Sequence, residues 1–280
     1  MTYCAPRRPG PARASGRLPQ VELPIYQVDA FASRLFAGNP AAVCPLEEWL
    51  PAPTMQAIAA ENNLAETAFY VPASGDYELR WFTPTTEVSL CGHATLATAF
   101  VISGFTEPGR NLMRFHTRSG PLEVTRQSDL FALDLPARPA APAEGPPDLA
   151  AILGAMPVTV LRSAEDYVAV YAGEATVKGL MPDLAKVAKL PAQGLIVTAQ
   201  GREVDFVSRY FAPAAGIAED PVTGAAHCTL VPYWSQRLGK TNMQARQISA
   251  RGGELYCRAL GNRVMLSGRA VLYLEGRIHV

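Results

Sequence analysis

Residues 80–100 read RWFTPTTEVSLCGHATLATAF, and residues 209–230 read RYFAPAAGIAEDPVTGAAHCTL. Aligned from Arg80 and Arg209, Arg, Phe and Pro coincide, Trp81 meets Tyr210, and Val88 meets Ile217. In that register Cys91 falls on Asp220. Pro221, Val222 and Thr223 are then extra, and Gly224-Ala225-Ala226 answers Gly92-His93-Ala94. Each stretch opens with the alternation of a strand and closes in a run that is apolar on every side. A helix without a polar face is a buried helix. Strand, loop, glycine and buried helix thus occur twice in the same order, and the chain reads as an internal duplication. The expected fold is α/β (α+β), with two pseudo-symmetric domains. Each is a curved, mostly antiparallel sheet or barrel around a central buried helix, and the site lies in the cleft between them.

The flanking sequence fills in this plan. A strand is expected from Ile25 to Ala30, a turn at Gly38-Asn39-Pro40, and a second strand to Cys44. Met55, Ile58 and Ala59 recur at helical spacing, with Thr54 as a cap. Segments 66–71 (ETAFYV) and 77–82 (YELRWF) alternate as strands do, LATAFVISG stops at Gly104, and residues 121–136 form a hairpin. Residues 137–149, ARPAAPAEGPPDL, are the most linker-like segment. They divide a first domain, 22–136, from a second, 150–280, whose last strand can return to the first. Pro232 should kink the second buried helix.

Composition narrows the function. Hydrophobic residues make up 49% and charged residues 18% of the 280, which supports a sizeable core and argues against disorder. Lys+Arg and Asp+Glu are equal at 25 each, so there is no electrostatic footprint for nucleic acid or an anionic membrane. No apolar run reaches bilayer length, so no membrane span is expected. The five cysteines are odd in number and lack C-x-x-C spacing. That disfavours a disulfide framework and a Cys-rich metal site, and favours a reduced, cytoplasmic setting. Residues 1–21 read as a flexible basic, Pro-rich tail; no secretory h-region follows.

Facing halves would point two helix N-termini into one cleft. Each brings unpaired N–H groups and the positive end of a dipole, which together suit an anion. Gly92 and Gly224 would permit close backbone approach. The natural ligand is a small carboxylate. Reactive groups near such a cleft are few: His93, Asp220, and Glu66 in NNLAETAFY. A carboxylate at an element boundary among apolar neighbours suits general acid–base work. His227 and Cys228 read as packing residues, Glu61 as a solvated helix face, and Trp81 and Tyr210 as core.

The motifs VDAF…GNPAAV, NNLAETAF, FTPTTEVSLCGHAT and EDPVTGAAHC resemble, in order and spacing, those of the PhzF-like (phenazine-biosynthesis) proteins, which have the diaminopimelate-epimerase fold. The resemblance runs from about Ile25 to Ile278. It implies an isomerase that needs no cofactor or metal and is usually a homodimer. In that picture Glu66 moves a proton between carbons of a small unsaturated carboxylic acid. His93 and Asp220 shape the site and hydrogen-bond the substrate or Glu66, and the amides of Gly92 and Gly224 hold the carboxylate. One position departs from the family: T-G-S-A-H is common, and here Ala225 replaces the Ser, removing a hydroxyl from the substrate side. Three rival readings follow from the same residues. One is a two-base epimerase or racemase using Cys91. Another is a zinc hydrolase using Cys91, His93, His227 and Cys228. The last is a carboxylate-binding protein of this fold without turnover.

Overall fold

The structure, a computed structural model, describes residues 21–280. The expected tail lies outside the described residues except for Val21, which exchanges backbone hydrogen bonds with Val280. The first half of the chain runs β1 (Glu22–Ala30), β2 (Asn39–Pro45), α1 (Ala52–Asn62), β3 (Glu66–Ala73), β4 (Asp76–Phe82), β5 (Glu87–Val88), α2 (Gly92–Val101), β6 (Leu112–Thr117), β7 (Gly120–Gln127) and β8 (Leu130–Pro136). The second runs β9 (Ala141–Pro142), α3 (Leu149–Leu153), β10 (Thr159–Arg162), β11 (Asp166–Val170), α4 (Glu174–Gly179), α5 (Leu184–Val187), β12 (Gly194–Gln200), β13 (Phe206–Ala212), β14 (Ile217–Asp220), α6 (Gly224–Leu238), β15 (Asn242–Gln247), β16 (Gly253–Leu260), β17 (Arg263–Gly268) and β18 (Ala270–His279).

The strands hydrogen-bond in one continuous order: β18-β1-β2-β3-β4-β6-β7-β8-β17-β16-β15-β13-β12-β11-β10-β9. Read outward from the β8–β17 seam, both arms have the same pattern. Each has two parallel pairs, β4–β6 and β2–β3 on one side, β15–β13 and β12–β11 on the other, and the rest are antiparallel. Parallel neighbours need a crossover. The crossover from β4 to β6 carries α2, and that from β13 to β15 carries α6. The fold is therefore mixed α/β and dominated by sheet. Among the described residues the sheet does not close into a barrel.

The pairings correct the internal alignment. Trp81 pairs with Val88, and Tyr210 pairs with Asp220. Arg80 forks onto Glu87 at 2.8 and 2.9 Å, and Arg209 forks onto Glu219 at 2.7 and 2.9 Å. Glu219 thus answers Glu87, Asp220 answers Val88, and Thr223 answers Cys91 as the residue before the helix. The three extra residues belong to the preceding turn, where Pro213–Ala215 makes a short 3-10 helix. Two guanidinium–carboxylate forks hold the equivalent geometry, and the insertion goes where the chain is free to lengthen.

Both central helices are buried. In α2 the hydroxyls of Thr95 and Thr98 satisfy themselves on Cys91 O and Ala94 O, so these two threonines sit in the core without orphaned hydroxyls. The helix does not stop at Gly104; a π-helical turn, Ile102–Thr106, extends it. Nor does Pro232 break α6, which runs unbroken from Gly224 to Leu238. A proline there leaves the carbonyl four residues earlier without its donor. That carbonyl, Cys228 O, takes the backbone N–H of Arg138 at 3.0 Å instead. Residues 137–149 are tied down at this point, and Ala137 N also reaches Asn262 O at 2.9 Å. Other boundaries moved as well. Asn39-Pro40 opens β2 rather than forming a turn, and Thr54 lies inside α1, which follows Pro51.

Leu96 on α2 is fully enclosed in the largest core cluster. Leu96→Ala should cost about 3 kcal/mol through lost burial and the cavity left behind. Urea unfolding checks this, and a loss under ~1 kcal/mol would mean that α2 is not packed as described.

Candidate active site

The two buried helices begin against one another. A Cβ placed on Gly92 would lie 3.7 Å from the Cα of Gly224, and one placed on Gly224 would lie 3.6 Å from the Cα of Gly92. These are ordinary contact distances, so the backbones themselves meet. The residues before the helices, Cys91 and Thr223, are both extended, and neither helix has a side-chain cap on its first turn. The first intrahelical bonds are Thr95 N to Cys91 O and His227 N to Thr223 O. The amides of Gly92, His93 and Ala94, and of Gly224, Ala225 and Ala226, have no intrahelical carbonyl and lie at the positive ends of two dipoles; that of Ala94 turns to the Cys91 sulfur.

Glu66 is the first residue of β3, and His93 lies on the first turn of α2. His93 Nε2 is 3.1 Å from Glu66 Oε2. The pair is within hydrogen-bond distance but off the ideal angle, and neither atom has another partner. Asp220, at the end of β14, is held on all sides. Thr223 Oγ1 and Asn39 Nδ2 donate to its two carboxylate oxygens, and Gln247 Nε2 donates to its backbone carbonyl. Glu66, His93 and Asp220 are 9%, 5% and 8% exposed, so the site is closed to solvent. Ala225, second residue of α6, is half-buried.

The structure therefore brings Glu66, His93, Asp220, Gly92 and Gly224 together. It does not gather the four residues of the zinc reading. His227 Nδ1 donates to Thr223 O at 2.8 Å and its ring packs 5.8 Å from Phe206. Cys228 is enclosed in the core. Glu66, Cys91 and His93 do lie within 4.8 Å of one another by their ligand atoms. A metal there would first have to displace the thiol proton, because burial pushes Cys91 up to about 11. The two-cysteine epimerase reading lacks its second thiol, since Thr223 answers Cys91.

Three members of the site escaped the sequence reading. Asn39, fully buried, reaches His93, Asp220 and the Val222 carbonyl. Gln247, equally buried, accepts from Thr223 N and donates to Thr223 Oγ1. Thr223 joins the two. The one available signal was the Gly-Asn-Pro of the first motif, which reads equally well as a turn.

Residues 28–276 match the PhzC-PhzF family of phenazine biosynthesis-like proteins. The chain belongs to this family. It is 52% identical to an uncharacterized isomerase of Pseudomonas aeruginosa over 260 residues, covering 93% of this chain and 100% of that one. A PhzF-family crystal structure from Enterococcus faecalis superposes with a TM-score of 0.90 at 45% identity, covering 93% of this chain and 100% of the other. A predicted epimerase from Pseudomonas aeruginosa shares the fold at 20% identity, with a TM-score of 0.68 over 91% of this chain and 99% of that one. This PhzF-like chain is an isomerase with an epimerase-type fold. Among the described residues no helix is long and apolar enough to cross a membrane.

Burial sets the titration of the site. It pushes Asp220 up to about 6, against the lowering effects of His93 and of bonds from Thr223 and Asn39. It pushes His227 down to about 4, offset in part by the bond to Thr223 O. At His93 burial opposes charge, while Cys91 and Glu66 favour it, and the ring ends above its ordinary value.

Asp220 and His227 act on stability with opposite signs. Between about pH 4 and 6, native Asp220 keeps a proton that the unfolded chain has lost, so its contribution falls as pH rises. Between about pH 6.5 and 4, the unfolded chain protonates His227 and the native state resists, so that contribution falls as pH drops. The two nearly cancel. Asp220→Asn removes the first, and stability should then fall by up to about 3 kcal/mol more than in the parent between pH 6.5 and 4. Urea unfolding at each pH measures it; parallel curves for parent and variant would show that Asp220 does not titrate in this window.

Proposed function

We propose that this isomerase moves a proton between carbons of a small unsaturated carboxylic acid, with Glu66 as general acid and base and without a cofactor. The observation that carries this reading is the pair of uncapped helix N-termini meeting at Gly92 and Gly224, with the Glu66 carboxylate beside them. The helix-end amides and two dipole ends favour a carboxylate without any cationic side chain. An acid held there presents its carbon chain to a base that is buried, next to an imidazole, and shielded from water. His93 and Asp220 shape the site and steady Glu66 and the substrate. The homodimer implied by the family resemblance belongs to this reading.

Because the three residues are about nine-tenths buried or more, substrate entry requires the two halves of the sheet to part and close again. Closure would expel water and strengthen the polar interactions inside. Ala225 leaves a methyl where the family commonly has a hydroxyl. A site that hydrogen-bonds a substrate hydroxyl rejects analogues lacking it by large factors, whereas an apolar wall discriminates weakly. The acid handled here accordingly lacks a polar group at that point.

The test is a screen of small unsaturated acids in deuterated buffer, scored by mass shift. The parent should incorporate deuterium into at least one acid, and Glu66→Gln should lower that rate by 10²-fold or more, on the order expected for loss of a general base. Folding and anion binding by Glu66→Gln should match the parent. If an acid binds the parent and gains no deuterium, the isomerase reading fails for that acid and carboxylate binding without turnover is favoured. If Glu66→Gln loses binding and turnover together, Glu66 is structural.

A further inference from the structure

Asn39 opens β2 at the centre of the molecule, fully buried, at a place where acid–base chemistry does not call for an amide. Its Nδ2 has Asp220 Oδ1 at 2.7 Å, Val222 O at 2.9 Å and His93 Nδ1 at 3.2 Å. An amide nitrogen donates and its oxygen only accepts. The Val222 carbonyl also only accepts, and so does an ionised Asp220. Turning the amide over would set its oxygen against both. The orientation is thus fixed from the second half of the chain, and the nitrogen is what faces His93.

The other neighbour of His93 Nδ1 is Cys91 Sγ, at 3.5 Å. That thiol keeps its proton across the physiological range, since burial holds it up near about 11. The two amide hydrogens serve the shorter bonds to Asp220 and Val222, so Nδ1 faces an amide nitrogen that cannot accept a proton from it, and a thiol that can donate to it. A neutral imidazole has one donor and one acceptor nitrogen. With a non-accepting amide nitrogen on the Nδ1 side, the single proton of the neutral ring belongs on Nε2, the atom 3.1 Å from Glu66 Oε2.

We propose that Asn39 is a positioning residue that holds the neutral form of His93 in its Nε2–H tautomer, so that the Glu66 carboxylate still faces a donor once the ring has lost its charge. For the reaction this rests on the reading of Glu66 given above. The tautomer itself does not. Asn39 acts across the cleft: it stands in the first half, two of its acceptors come from the second, and the ring it orients lies back in the first. Parting the halves removes the anchors that fix the amide, so the tautomer is set by closure. His227, the other buried histidine, is held the opposite way, with its proton on Nδ1 for Thr223 O.

Long-range ¹H–¹⁵N spectra of the labelled protein read the tautomer of each of the four histidines directly. On the alkaline side of its titration, His93 should carry its proton on Nε2 in the parent. It should still do so in Glu66→Gln, where the carboxylate is gone and Asn39 remains. Asn39→Asp, which presents an oxygen to Nδ1, should move the proton to Nδ1. The proposal is overturned if the parent shows Nδ1–H, if Glu66→Gln alone switches the ring, or if a folded Asn39→Asp leaves it on Nε2. The first two results need no Asn39 variant, so they decide the matter even if Asn39→Asp does not fold. None of the spectra depends on turnover, so a failed tautomer and a failed deuterium screen are separate results.

Discussion

Two helices of one chain are held with their positive ends in contact. Facing like poles in a water-poor interior is unfavourable unless negative charge is supplied between them. Here the backbones touch at Gly92 and Gly224, and no side chain caps either first turn. The compensating groups in the chain are Glu66 and Asp220, and in the proposed scheme the substrate carboxylate joins them. The surrounding polar network follows from this constraint. Asn39, Thr223 and Gln247 hold Asp220 and the entry to α6, and Arg80 and Arg209 each brace the turn that feeds a helix.

The duplication is close to complete in the sheet and incomplete in the chemistry. Two arms of eight strands meet at β8–β17, each with a buried helix in an equivalent crossover. At the start of β3 stands Glu66; at the start of β12 stands Gly194. A Cβ on Gly194 would lie 2.3 Å from the Tyr210 hydroxyl, which reaches into that space and bonds Asp166 Oδ1 at 3.0 Å. The second half has filled with a phenol the place where the first keeps its carboxylate. One fold repeated twice therefore yields one proton-transfer carboxylate in the proposed scheme, and not a symmetric pair of bases.

The repeat was legible because strands and buried helices write periodic patterns, and glycine before an apolar run is a local signal. Exact register was not, because Pro and Gly in the turn before Asp220 look no different from a loop after it. The ion-pair forks that settle the register are read only from contacts. Asn39 was missed for a similar reason: its partner Asp220 lies 181 residues away. The helices α3, α4 and α5 span one or two turns, too short for periodicity to speak. Pro232 suggests a kink from sequence; in the structure α6 runs unbroken through it, and its ring leaves Cys228 O without a helical donor. What no local rule could supply was the replacement donor at Arg138.

The helix-end amides have a consequence for how such a protein diverges. Every residue except proline carries the same N–H, so substitutions at the helix entrances leave that attraction for anions largely in place. No amide titrates, so it also persists across pH. Side chains around it can drift and retune the shape of the ligand. In the proposed scheme, what descends through such changes is a receptor for the charged end of a molecule, written in the main chain, to which successive lineages can fit different remainders.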